Sequence, residues 1–94
     1  LTLLNVRGES MFPTIKDNSQ CMCVKKNSYR VNDIISFILK YNGENLAIVH
    51  RINSINGDIV ITKGDNNNFT DPEITKNDIL CSVPSVPRYM VLVR

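Results

Sequence analysis

The chain has no tryptophan, a single histidine and only three cysteines, and its charges nearly cancel to a formal net +2 over 94 residues. Each shortage excludes something. Lys25-Lys26 is the only adjacent basic pair, and no basic stripe interleaved with aromatics runs along the chain. A nucleic-acid partner is therefore not expected. An odd cysteine count offers no even disulfide framework. Cys21 and Cys23 alternate in an apolar run and so face one side of a strand. Their C-x-C spacing is tighter than the usual zinc loop, and a site would need Cys81 and His50 to converge on them. The cysteines are read as small buried apolar residues, with no metal and no cofactor. No apolar run approaches the ~20 residues of a membrane helix. No stretch sustains a 3.6-residue period, there is no internal repeat, and Asn66-Asn67-Asn68 is too short to count as low complexity.

What is present reads as mainly β. The hydrophobic fraction of 43 % and charged fraction of 21 % are ordinary for a globular chain. The length suits one domain over residues 1–94, whose folding buries about 60–65 % of the unfolded surface. Short runs rich in β-branched residues are punctuated by glycine and asparagine. Strands are predicted over residues 20–25, 34–40, 46–55, 58–63, 79–83 and 88–93. Tyr41-Asn42-Gly43-Glu44 and Asn56-Gly57 carry the hairpin turn signal. Residues 64–72 form a polar loop, residues 73–78 one turn of helix, and residues 14–18 a short turn at most. Residues 1–4 and 86–93 suit edge strands, or else the margins of apolar segments. A small all-β domain must hide its edges, which a coiled, barrel-like sheet does.

Two segments carry chemistry. In Gly8-Glu9-Ser10-Met11-Phe12-Pro13-Thr14-Ile15, Gly8 permits a bend and Pro13 fixes the backbone after it, so Ser10 is presented on a turn. In Ile48-Val49-His50-Arg51-Ile52, His50 shares a strand face with Ile48 and Ile52. An imidazole on an apolar face is most often a satisfied core residue, and a lone serine most often a turn residue. Together they are a nucleophile and a base that titrates near neutrality, the pairing acyl transfer needs. A third group would hold the imidazole tautomer; Asp65 and Asp71 are both candidates, and Asp65 also suits an Asx cap. The Ser10 N–H is one candidate oxyanion donor, and no second is evident. Lys40 and Lys63 flank strands and suit a base less well than His50.

The segment from Gly8 to Ile15 resembles the G-x-S-M-x-P-T-[IL] nucleophile box of the type I signal peptidases and the related LexA-like self-cleaving repressors. Val31-Asn32-Asp33-Ile34-Ile35-Ser36-Phe37 is similar to their V-G-D-I-V-x-F strand. Ile48-Val49-His50-Arg51-Ile52 matches the box of the general base, which is histidine in the endoplasmic-reticulum and archaeal type and lysine in the bacterial type and the repressors. Ile61-Thr62-Lys63-Gly64-Asp65-Asn66-Asn67, with Asp71 after it, looks like the T-K-G-D-N-N-x-x-x-D box of the histidine type. The resemblance runs from about Val6 to Val93.

The resemblance implies a coiled β-sheet core, Ser10 as nucleophile, His50 as general base, Asp71 as third catalytic acid, and Asp65, Met11 and Gly8 in supporting places. It implies a precursor substrate cut after small residues at −1 and −3, removing a signal peptide. It also implies membrane segments outside residues 1–94, an extracytoplasmic catalytic domain, and Met11 and Phe12 against lipid headgroups, with Phe12 alternatively in the core. Glu9, Gly8, Asn32 and Lys16-Asp17-Asn18 depart from the pattern. Glu9 resembles the repressors, and Gly8 offers no hydroxyl to an oxyanion. The alternatives are a LexA-like self-cleaving regulatory domain and a non-catalytic peptide-binding β-module. Oligomeric state stays open.

Overall fold

Alternation decides which face of each strand is buried, and hairpin turns decide which strands meet. The structure, a computed structural model, describes residues 1–84. Among these are strands β1 (Thr2–Val6), β2 (Ser19–Cys23), β3 (Ile34–Tyr41), β4 (Glu44–Asn56), β5 (Ile59–Lys63), β6 (Ile74–Thr75) and β7 (Ile79–Val83), with a 3-10 turn at Lys76–Asp78. The fold is mainly β, as expected. The strand predicted over residues 88–93 lies outside the described residues.

All pairings are antiparallel. β1 and β2 form a two-stranded sheet, and β6-β5-β4-β3-β7 form a five-stranded one. The β3–β4 hairpin closes on Asn42 and Gly43, both at positive φ (52° and 79°), which is the mirror-image turn that Asn-Gly favours. The small sheet docks on the edge of the large one, where Val24 and Ser82 exchange backbone bonds of 2.8 Å each way.

β4 changes partner along its length. Residues 44–51 pair with β3, and residues 51–56 pair with β5, with a register shift between Ile52 and Ser54 inside that second pairing. Residues 44–50 therefore carry a partner on one side only among the described residues. Asn32 (φ +80°) stands where the resembling family has glycine; asparagine is one of the few residues that tolerates this backbone. Its N–H donates to Ile52 while Ile52 donates to Asp33, so this turn is stitched to β4.

Ile35, Phe37, Ile52, Val60, Ile74 and Ile79 make the main core, on one face of the large sheet. Val6, Met11 and Ile15 make a second cluster against Ile34, Val49 and Cys21, filling the space between the sheets.

Residues 2–6 form the edge strand expected at residues 1–4, because pairing with β2 satisfies their backbone. Two expectations change. Residues 73–78 split into the short strand β6 and a 3-10 turn, where the Asp78 carboxylate accepts from the Thr75 N–H at 2.9 Å and the Ile79 N–H donates to the Lys76 carbonyl, an i→i+3 bond after which the backbone is extended. The cysteines are not merely packed: Cys23 and Cys81 form a disulfide with Cα atoms 5.5 Å apart, and only Cys21 is free. Counting an odd number hides one pair plus one spare, since pairing is set by which strands the fold brings together. Burial pushes the free Cys21 thiol up, so it carries little thiolate.

The disulfide closes a loop of 58 residues, worth about 4 kcal/mol in the chain-entropy account. Replacing both residues (Cys23→Ala with Cys81→Ala) should lower the unfolding free energy by roughly 2–5 kcal/mol in urea denaturation. Reductant should shift the wild type in the same direction and leave the double variant unmoved.

Candidate active site

The turn between β1 and β2 is built to hold Ser10 still. Gly8 sits at φ +90°, and its N–H donates to the Asp17 carboxylate at 2.8 Å. The Phe12 N–H donates to the Glu9 carbonyl (3.1 Å) and the Ile15 N–H to the Met11 carbonyl (2.9 Å). Met11 and Ile15 drive this turn into the second core cluster, and Met11 is 1 % exposed. The expectation that Met11 meets lipid is therefore corrected: its apolar side chain anchors the turn from inside, and its sulfur accepts the Asp65 N–H at 3.3 Å. Phe12, by contrast, is exposed.

His50 lies in β4 opposite Ile35, 7 % exposed, with Phe37 edge-on at 6.3 Å. Its Nε2 is 3.0 Å from Ser10 Oγ, and its Nδ1 is 2.6 Å from Asp71 Oδ2. The same carboxylate oxygen accepts the Thr62 hydroxyl at 2.6 Å. The Asp71 N–H donates to the Thr62 carbonyl at 2.8 Å, which holds the loop residue beside β5. An ionised carboxylate can only accept, so it calls for the tautomer with the proton on Nδ1. Nε2 is then the acceptor for the Ser10 hydroxyl. A buried imidazole so held has both nitrogens satisfied, and among the described residues no buried side-chain nitrogen or oxygen lacks a partner.

Asp65 does different work. Arg51 donates to both its oxygens, from Nε at 2.9 Å and Nη2 at 2.8 Å, and the Thr14 hydroxyl adds a third bond at 2.7 Å. It is not an Asx cap; it ties the loop to β4 on one side and to the Ser10 turn on the other. The Arg51 bonds hold its carboxyl below the usual carboxylate range, against the opposing effect of burial. Asn66 adds a second tie, its N–H donating to the Ser10 carbonyl at 2.8 Å and its side-chain amide to the Glu9 carbonyl at 3.0 Å. Gly64 permits this approach: a Cβ there would sit 2.7 Å from the Ser10 carbonyl oxygen and 3.1 Å from His50 Nε2.

Structure thus brings Ser10, His50 and Asp71 into one line, with Gly8 and Met11 shaping the turn and Asp65 bracing it. Lys40 is exposed, Lys63 half-buried, and it is His50 that bonds to Ser10. Sequence reasoning missed Thr62, Arg51, Thr14, Gly64 and Asn66. Thr62 had a signal, a hydroxyl on the buried face of an alternating strand, where it must find a partner. The others are visible only once the loop has folded back.

A groove of about 320 Å³ opens at the pair, lined by Asn5, Val6 and Arg7, by Ala47, Ile48 and Val49 of β4, and by Ser10 and His50 themselves. Among the described residues no group of three or more His, Cys, Asp or Glu is placed to hold a metal, and no helix is long and apolar enough to cross a membrane. A family model described as Peptidase S24-like matches residues 1–83. Comparison with curated proteins finds no match, and comparison with solved structures finds none.

The Asp65 carboxyl has a lowered value in the folded state. Its stabilisation is complete above the unfolded value of about 3.9 and drains away as pH falls through the lower folded one. Unfolding midpoints measured at about pH 5 and pH 2.5 should converge in Arg51→Met relative to wild type, because the methionine variant has lost the pairing at both.

Proposed function

The chain belongs to the Peptidase S24-like family, and from that premise we propose that it is a serine endopeptidase of the signal peptidase type, with Ser10 as nucleophile, His50 as general base and Asp71 holding the imidazole. The family covers LexA-like self-cleaving domains and members of the signal peptidase I clan. The observation that carries the reading is the unbroken line of hydrogen bonds Ser10–His50–Asp71, at 3.0 and 2.6 Å.

In this mechanism Ser10 Oγ attacks the scissile carbonyl carbon as its proton passes to His50 Nε2. The carbonyl electron pair moves onto oxygen. Collapse of the tetrahedral species breaks the C–N bond, and His50 returns the proton to the leaving amine. Water then repeats the sequence on the acyl-enzyme. Asp71 stabilises the imidazolium formed in each half, and Thr62 keeps the carboxylate aimed.

The groove supports a peptide substrate in extended form. Among the described residues β1 pairs only with β2 and residues 44–50 of β4 only with β3, so each brings an open strand edge to the groove lining. Edges of this kind accept an added strand through main-chain bonds. Ala47, Val49 and Val6 line a shallow, mostly aliphatic wall, which suits small residues near the cut, as in signal-peptide removal from secretory precursors. Histidine as base, followed by the Thr62-Lys63-Gly64-Asp65-Asn66-Asn67 loop, favours the endoplasmic-reticulum and archaeal type. The Cys23–Cys81 disulfide favours an oxidising, extracytoplasmic setting. Leu3 and Met22 face each other across the small sheet at 66 % and 49 % exposure. That apolar face suits a lipid surface, with residues 1–94 as the catalytic domain of a membrane-associated enzyme.

Glu9 favours a second reading, a domain that cleaves its own linker. Incubation with a peptide carrying small residues at −1 and −3 separates the two. Signal peptidase activity predicts turnover of added peptide; a self-cleaver predicts first-order loss of its own intact chain, independent of concentration. Ser10→Ala should abolish either reaction, and Asp71→Asn should lower kcat by about 10³–10⁴-fold while the chain stays folded. Undiminished cleavage by Ser10→Ala would overturn the serine mechanism.

A further inference from the structure

In a trans peptide the N–H and C=O point to opposite sides of the chain. The Glu9 carbonyl accepts from the Asn66 side-chain amide at 3.0 Å, and the Ser10 carbonyl accepts from the Asn66 N–H at 2.8 Å. Both carbonyls of the nucleophile turn therefore face the loop that follows β5. The N–H groups of the same two peptide units, those of Ser10 and Met11, face away from it. Neither donates to a protein acceptor among the described residues. No residue of the loop from Gly64 to Asn67 lines the groove beside Ser10 and His50. Ser10 lines that groove and the loop does not, which puts the Ser10 N–H on the groove side.

We infer that Asn66 is a positioning residue for the acylation step: by holding two successive peptide planes, it aims the Ser10 and Met11 N–H groups at the oxygen of the carbonyl that Ser10 attacks. This rests on Ser10 being the nucleophile, as proposed above. When the Ser10 Oγ–C bond forms and the carbonyl pair moves onto oxygen, the new negative charge meets two donors already oriented. They need no rearrangement at that moment, which is the source of their catalytic worth. The second donor that Gly8 cannot supply by a hydroxyl is then the Met11 amide, aimed through the Asn66 backbone N–H, while the Asn66 side chain aims the Ser10 amide from more than fifty residues downstream.

Asn66 is exposed, so its side-chain bond contributes little to folding, and its loss leaves the backbone bond to Ser10 in place. Asn66→Asp keeps the shape but sets a carboxylate against the Glu9 carbonyl; Asn66→Ala removes the donor alone. Asn68→Ala, at the neighbouring exposed asparagine, is the control. The readouts are kcat and KM on a cleaved peptide, the pH profile, inhibition by a peptide aldehyde whose adduct with Ser10 carries the same oxygen, and the unfolding midpoint.

Both Asn66 variants should lose about 10–100-fold in kcat, less than the full loss of one oxyanion donor. Aldehyde affinity should weaken in parallel, with KM, pH profile and unfolding midpoint unchanged and the Asn68 control normal. Unchanged kcat would overturn the inference, as would a loss confined to KM or one that follows the unfolding midpoint or a shifted pH profile. If the wild type cleaves and the Asn66 variants match it, only this inference falls. If the wild type and Ser10→Ala are indistinguishable, the serine mechanism falls and takes this inference with it.

Discussion

Ser10 stands on the turn that joins the strands of the small sheet and His50 in the large sheet, and a hydrogen bond of 3.0 Å between them lasts only while the two sheets keep their places. The rest of the structure answers to that constraint. Among the described residues the two sheets share one backbone bridge, Val24 with Ser82. The other ties come from side chains and from the loop after β5. Their strengths differ. The Cys23–Cys81 disulfide contributes about 4 kcal/mol by restricting the unfolded chain. Burying Met11 contributes about 1.5–3 kcal/mol. The Arg51–Asp65 pair is partly exposed, so its value lies in direction more than in energy. It uses a bidentate geometry that fixes the loop relative to β4.

The loop after β5 is the element where these ties converge. Within eight residues it presents a glycine that lets it approach, an aspartate that braces, an asparagine that holds the turn, and an aspartate that holds the imidazole. Its position follows from β4. β4 pairs with β3 as far as Arg51 and with β5 from Arg51 onward, so the return strand ends at Lys63 beside Arg51 and the loop crosses back toward His50. Because β5 stops there, residues 44–50 keep an open edge among the described residues, beside the groove that Ser10 lines. The point at which one short strand ends therefore both aims the loop and leaves the groove edge open.

Much of this was legible in the chain. The alternation of Ile35, Phe37 and Leu39, the Asn42-Gly43 turn, and the isolated histidine in an apolar strand all carry their physical reason in neighbouring residues. The disulfide did not, because cysteine parity says nothing about which strands become adjacent. Nor did the burial of Met11: next to an exposed Phe12, only the second core cluster distinguishes them. Choosing between Asp65 and Asp71 as the partner of His50 needed coordinates, since both lie in one polar loop and either could swing toward the ring.

Local sequence by itself determined the strands, the tight turns, and the residue types able to pass a proton, because these depend on backbone preference and side-chain chemistry within a few positions. Tertiary structure alone decided that Asp71 faces the imidazole while Asp65 faces Arg51, that Cys23 finds Cys81, and that Asn66 reaches back to the Ser10 turn. The reason is distance along the chain: hydrogen bonds and disulfides act over a few ångströms, and residues far apart in sequence reach that range only when hydrophobic burial has already packed one sheet against the other.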